Sequence, residues 1–234
     1  MRTLTNPDVL DLWDRGSRLH PLDQGLLLLG AIHPEERYAV LADWPLGRRN
    51  SAVAKWHCAT FGPDLQGWTA CPQCGEKLEF RMDGRSLLGP LESSLAGTLT
   101  SRGHSFRLPS SRDLARATRE SDSTQAAVSV LEACCLDADP VQNWSEEDIE
   151  QIGEEMALAD AMAETRLTLS CAKCPAQWEE SLDIVAFVWS EVEAAAKRLL
   201  LEVHTLASAY GWSEPEILAL SDARRSCYLA MVRQ

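Results

Sequence analysis

Seven apolar positions near the end of the chain, Val188, Val192, Ala195, Leu199, Val203, Leu206 and Tyr210, recur at intervals of four, three, four, four, three and four. That is the period of one helix face, and it predicts a helix from about Asp183 to Tyr210, roughly 42 Å long. Glu193 and Lys197 form an i,i+4 pair on the outside, and Gly211 suits the C-terminal cap. Ser213-Glu-Pro-Glu216 reads as a capping box that opens a new helix. Ser221 starts a last short one carrying Tyr228, Leu229 and Val232.

The N-terminal third carries the same period. Val9, Leu12, Trp13 and Leu19 predict a helix from Pro7 to Leu19 with Asn6 as N-cap. A second runs from Pro21 to Ile32, and a third from Gly47 through Ala52, Val53 and Trp56 to Phe61. The period then changes to two. Leu78, Phe80 and Met82 alternate with Glu79, Arg81 and Asp83, which predicts a strand. Thr98–Ser101 and His104–Leu108 flank Arg102-Gly103 as a hairpin, and Arg166–Ser170 is a further strand. Between them, about Asp113 to Ala163, the pattern is helical again. Ser145 to Glu164 holds eight acids and no Lys or Arg, with Ile149, Ile152, Met156 and Ala159 as a narrow apolar stripe. That stretch is either a solvated acidic helix or a docking face for a basic partner.

Cysteine placement adds chemistry to this pattern. Cys71-Pro-Gln-Cys74 precedes the strand Lys77–Asp83, and Cys171-Ala-Lys-Cys174 follows the strand Arg166–Ser170. Each is a C-x2-C knuckle, and two knuckles make a complete tetrahedral shell for a structural Zn2+. The 96 residues between Cys74 and Cys171 exclude a minimal zinc finger. The expected arrangement is a ribbon whose strands pair across the long insertion, two halves clamped by one ion. Disulfides are disfavoured, because Met1 to Pro7 contains no apolar leader core, so a cytoplasmic setting is expected. Cys58, Cys134, Cys135 and Cys227 lack ligand spacing and are expected as small core residues.

The expected fold class is α+β: mainly helical, with a small antiparallel zinc-ribbon-like sheet and a long C-terminal helix. The expected divisions are an N-terminal helical region 1–65, the first knuckle with strands 66–112, the acidic insertion 113–164, the second knuckle 165–182 and the C-terminal helices 183–234.

Composition narrows the function. The 234 residues carry a net charge of −13, which repels phosphate backbones and disfavours a nucleic-acid role for the ribbon. No apolar run approaches the roughly 20 residues of a membrane span. His20, His33, His57, His104 and His204 enter no metalloprotease or nucleophile motif, and there is no Walker A or dinucleotide fingerprint. His204 is expected to be a buried, satisfied histidine. Four cysteines leave zinc no open position, so no catalytic residue and no enzyme are expected.

Several segments carry a resemblance together. They are Leu12-Trp-Asp-Arg-Gly16 with His20-Pro-Leu-Asp23, Trp44 to Asn50 with Phe61-Gly-Pro63, the knuckle Cys71 to Glu79, and Phe106-Arg-Leu-Pro109. The C-terminal run Leu200 to His204, Tyr210-Gly-Trp-Ser-Glu214, Ile217 to Ser221, Arg224-Arg225 and Tyr228-Leu229 is the most specific. The chain resembles the phage baseplate protein family of contractile tails and contractile injection systems, whose relatives are named for T-even phage baseplate-hub proteins. The resemblance covers nearly the whole length and is weakest in the acidic insertion. It implies a non-enzymatic assembly factor, a chaperone or minor component of the baseplate hub, with hub, spike or tape-measure proteins as partners. It also matches Cys71, Cys74, Cys171 and Cys174 to metal-type positions. It points to Tyr210, Trp212, Glu214, Arg224, Arg225 and Tyr228 for partner capture, beside the plainer reading of a helix–turn–helix corner. A tape-measure chaperone and a zinc-ribbon nucleic-acid-associated module are the alternatives.

Overall fold

A computed structural model of the chain describes residues 4–88, 97–137 and 144–232. The leader reading at residues 1–3, and the parts of the first-knuckle region and insertion at 89–96 and 138–143, lie outside the described residues. The class is α+β and mainly helical, as expected.

Four helices build the main core. They are α1 (Asn6–Gly16), α2 (Pro21–Ile32), α4 (Leu46–Thr60) and α8 (Ile184–Tyr210), with the short α3 (Tyr38–Leu41) between α2 and α4. Leu28, Leu29, Ile32, Val53, Trp56, Val188 and Val192 meet there with almost no exposure. Burial on this scale contributes about 1.5–3 kcal/mol per large aliphatic or aromatic side chain, which orders otherwise marginal isolated helices. Helix α1 starts one residue earlier than expected. Thr5, not Asn6, is the N-cap, in a capping box with Asp8. Helix α8 is 27 residues long; of its predicted stripe Val188, Val192, Ala195, Leu199 and Leu206 are buried, Val203 is half-buried, and Tyr210 at the helix end is exposed. Asp183 Oδ1 accepts from the Val185 and Ala186 amides at its start. Gly211 closes its end at φ +71°, a conformation glycine adopts without penalty. His204 lies on the outer side of α8 and is exposed, because it falls one position past the stripe residue Val203.

The strands form three separate two-stranded antiparallel sheets, not one ribbon paired across the insertion. Strand β1 (Asp64–Ala70) pairs with β2 (Lys77–Asp83), β3 (Thr98–Ser101) with β4 (His104–Arg107), and β5 (Thr165–Ser170) with β6 (Gln177–Leu182). Pairing with the neighbour in sequence closes only a short loop, whereas pairing across the insertion would close one of about 100 residues.

The insertion supplies α5 (Ser111–Ala117), α6 (Ser123–Cys134) and α7 (Glu146–Ala159). With Phe106 of β4, the residues Leu131, Cys134, Ile152 and Met156 make a second, smaller core. Arg107 holds the buried Asp113 with two hydrogen bonds of 2.6 and 2.8 Å, and donates to the Ala133 carbonyl.

A polar seam joins this unit to α4. The Gly47 amide at the start of α4 donates to Asp160 Oδ2 at 2.9 Å, so Asp160 caps α4 from outside. Asn50 Nδ2 donates to the carbonyls of Met162 and Ala163, and Arg49 donates to Ser111 Oγ. A side chain at Gly47 would collide with the Asp160 carboxylate, so the cap requires glycine there. Burial raises the Asp160 carboxyl above its usual range, against the lowering effect of the Gly47 amide.

Cys134 is buried as expected, and burial pushes its thiol up to about 12. Cys58 and Cys135 are half-buried. Cys227 is exposed rather than a core residue, since it lies on the outer side of α10 (Asp222–Val232).

Asn50→Ala removes the donor shared by two carbonyls and should destabilise the protein by about 1–3 kcal/mol, read as a lower urea midpoint at unchanged slope. Gly153, exposed in the middle of α7, has open space where a Cβ would stand. Gly153→Ala should therefore stabilise the protein by about 0.5–1 kcal/mol in the same assay.

Candidate metal centre

Each knuckle is the tip of its own hairpin. Cys71 follows β1 and Cys74 precedes β2; Cys171 follows β5 and Cys174 precedes β6. The two turns are built alike. The Cys71 amide donates to the Glu76 carbonyl at 2.8 Å, and the Cys171 amide to the Ala176 carbonyl at 3.0 Å. The Glu76 amide supports the Cys74 sulfur as the Ala176 amide supports Cys174. The Gln73 amide serves Cys71 as the Lys173 amide, at 3.4 Å, serves Cys171. These N–H groups aim partial positive charge at the sulfurs, which favours thiolates.

The repetition extends along both hairpins. Ala70 pairs with Lys77 and Ser170 with Gln177, and Leu65 with Met82 and Thr165 with Leu182. The six pairs from Leu65–Met82 to Ala70–Lys77 thus each have a counterpart one hundred positions on, in the same register. Even the exits match: Asp83 and Asp183 both cap the helical turn that follows.

The two tips meet crosswise. Cys71 Sγ lies 3.6 Å from Cys174 Sγ, and Cys74 Sγ lies 3.6 Å from Cys171 Sγ. All four sulfurs lie within 4.8 Å of one another. Around one ion with bonds of about 2.3 Å, a tetrahedron of thiolates has edges of about 3.8 Å. The four sulfurs therefore fit a single metal ion. Lys173 Nζ bonds Glu76 Oε2 at 2.6 Å between the knuckles, and Thr69 donates to Glu180 Oε2 between the hairpins. Cys71 is buried while Cys74 is exposed.

Without a metal the four thiols cannot all ionise side by side. Burial pushes the Cys71 thiol up, but the Cys74 and Gln73 amides and the neighbouring thiols outweigh it and hold Cys71 down at about 7. The Ala176 amide favours the Cys174 thiolate, yet burial and the other three cysteines push Cys174 up to about 12. A bound cation replaces those protons.

The C-terminal residues form a different kind of cluster. Tyr210 and Trp212 stack at 4.7 Å, and Tyr228 meets Trp212 edge-on at 4.9 Å. They pack over Leu206, Ile217 and Leu229, where α9 (Glu214–Leu218) and α10 fold back on α8. Glu214 and Arg224 are exposed. Arg225 is only 4% exposed and is bound to Glu202, Asp222 and the Leu220 carbonyl within the chain. It is a staple between α8 and α10, not a displayed side chain.

Sequence reasoning missed β1, which carries the first knuckle as β5 carries the second. Its Gly67 lies beneath the Phe80 ring and so contributes no apolar side chain to an alternating pattern. The spacing of one hundred between the knuckles was the available signal.

A scan against protein-family models, a search of curated proteins and a search of solved structures each returned no match. No helix among the described residues is long and apolar enough to cross a membrane.

Cys171→Ser should abolish stoichiometric metal binding and lower the melting temperature, and chelation of the wild type should produce the same loss in calorimetry. Because protons compete for the thiolates, metal affinity should fall by more than about tenfold per pH unit on acidification from 8 to 6, measured against a chromophoric chelator. Arg225→Ala should cost about 1–3 kcal/mol, and the exposed Arg224→Ala within about 0.5 kcal/mol of nothing, in paired urea melts.

Proposed function

We propose that this protein is a non-enzymatic assembly factor, a chaperone or minor component of the baseplate hub of a contractile phage tail or contractile injection system, clamped by a structural zinc ion. The observation that carries the structural role of the metal is the closed set of four cysteines. All four tetrahedral positions are taken by sulfur, which leaves no place for a substrate or an activated water. Four-sulfur sets suit zinc or iron, and zinc is the reading because two C-x2-C knuckles are its usual holder.

The baseplate reading rests on the sequence resemblance described above. An acidic surface and a displayed C-terminal corner suit the shielding of an assembly intermediate, with hub, spike or tape-measure proteins as clients. Tyr210, Trp212, Glu214, Arg224 and Tyr228 form that corner, and Arg225 braces it from within.

Elemental analysis of purified protein should give one zinc per chain; iron in its place would overturn the zinc assignment. Mass spectrometry of tagged protein, recovered from cells expressing its native gene cluster, should find hub or spike subunits. Absence from mature particles would make it a chaperone, and low-copy presence a component. Tail subunits in neither sample would sink the baseplate reading.

A further inference from the structure

A groove of about 830 Å³ runs between α6 and α7, away from the metal centre and from the C-terminal corner. Its walls include Ala126, Val130, Ile149, Gly153, Met156 and Leu158. Two features of it have no use among the described residues. Leu158, at its mouth, is 82% exposed. Gly153 sits mid-helix, where glycine costs about 1 kcal/mol relative to alanine, and no described residue comes near its missing side chain.

Charge selects the occupant. Glu154 lines the groove, and on the same helix neither it nor Glu150 makes an ion pair among the described residues. The groove's cation, Arg166, is already held by Glu164 and Glu179. Small residues on both walls let a backbone approach closely, which suits a helix rather than a flexible aliphatic ligand. An acidic, electrostatically unbalanced edge favours Lys and Arg beside that helix's apolar stripe.

We infer that the groove between α6 and α7 docks an amphipathic helix of a partner protein, its aliphatic stripe against Gly153 and Met156 and its Lys or Arg side chains along the α7 carboxylates. This inference is independent of the baseplate reading. The groove would take such a helix whichever assembly the protein serves.

The test uses the full chain and a dye-labelled model peptide of about 18 residues, a Leu/Ala helix flanked by lysines, with a twin carrying glutamates instead. Fluorescence anisotropy should show the lysine peptide binding at least about tenfold more tightly than its twin. Gly153→Phe, which fills the groove, should abolish the difference, and Leu158→Ser, at an exposed position that does not support the fold, should weaken binding several-fold. Amide chemical-shift changes on wild-type protein should map to α6 and α7. Binding that survives both substitutions, shift changes elsewhere on the acidic surface, or no binding of the lysine peptide would each overturn the proposal.

Discussion

Two-stranded hairpins are at best marginally stable by themselves, and this chain places two of them where neither continues into a larger sheet. Apart from Leu65, their inner faces are only half-buried: Gly67, Thr69, Leu78, Phe80 and Met82 on one hairpin, Leu167, Leu169, Trp178 and Leu182 on the other, with a carboxylate, Glu180, among them. What joins the tips is the meeting of four sulfurs. The ion pair between Lys173 and Glu76 is open to solvent, where water and salt screen it, and it is too weak to replace that meeting. A structural metal in such a set is worth on the order of 10 kcal/mol in small peptides, the same scale as the net stability of a whole domain.

That constraint reaches the main core through very short connections. Strand β6 ends at Leu182, Asp183 caps α8, and Ile184 and Val185 are already buried in the core. On the other hairpin, β2 ends at Asp83, which caps a 3-10 turn (Gly84–Leu87), and Leu87 enters the same core. The four-cysteine end and the helical end are thus one mechanical unit with two parallel tethers. Between the hairpins the chain makes a long excursion through β3, β4 and α5 to α7. The seam from Gly47, Asn50 and Arg49 to Asp160, Met162 and Ser111 returns that excursion to α4 before β5 begins.

The helices were legible because they bury one stripe against a core, so periodicity and burial report the same thing. Helix α8 is the clearest case, and its cap residues could be named from Asp183 and Gly211 alone. The four-cysteine cluster was legible because C-x2-C spacing is what coordination geometry asks of a pair of thiolates. Strand pairing was not, because alternation in Lys77–Asp83 says that a strand exists but not which neighbour it chooses. The partner strand β1 offers a glycine under an aromatic ring where a pattern needs a side chain. Arg225 was misread for a related reason: a charged residue looks exposed in sequence, and only the approach of α10 to α8 shows that Glu202 neutralises it in a buried position.

The hundred-residue correspondence bears on how the site is assembled. A four-ligand site built from unrelated turns would need two different local solutions for aiming amides at sulfur. Here one solution is used twice, and crosswise contact between equivalent halves supplies the rest. Cys71 meets Cys174 as Cys74 meets Cys171, which is the reciprocal pattern of an isologous interface within one chain. Such an arrangement tolerates a long insertion between the halves, because each hairpin pairs only within itself. The entropy of closing that long loop is a one-time cost that grows only logarithmically with its length. The excursion can therefore carry its own core, its acidic helix and its open groove apart from the four-cysteine clamp.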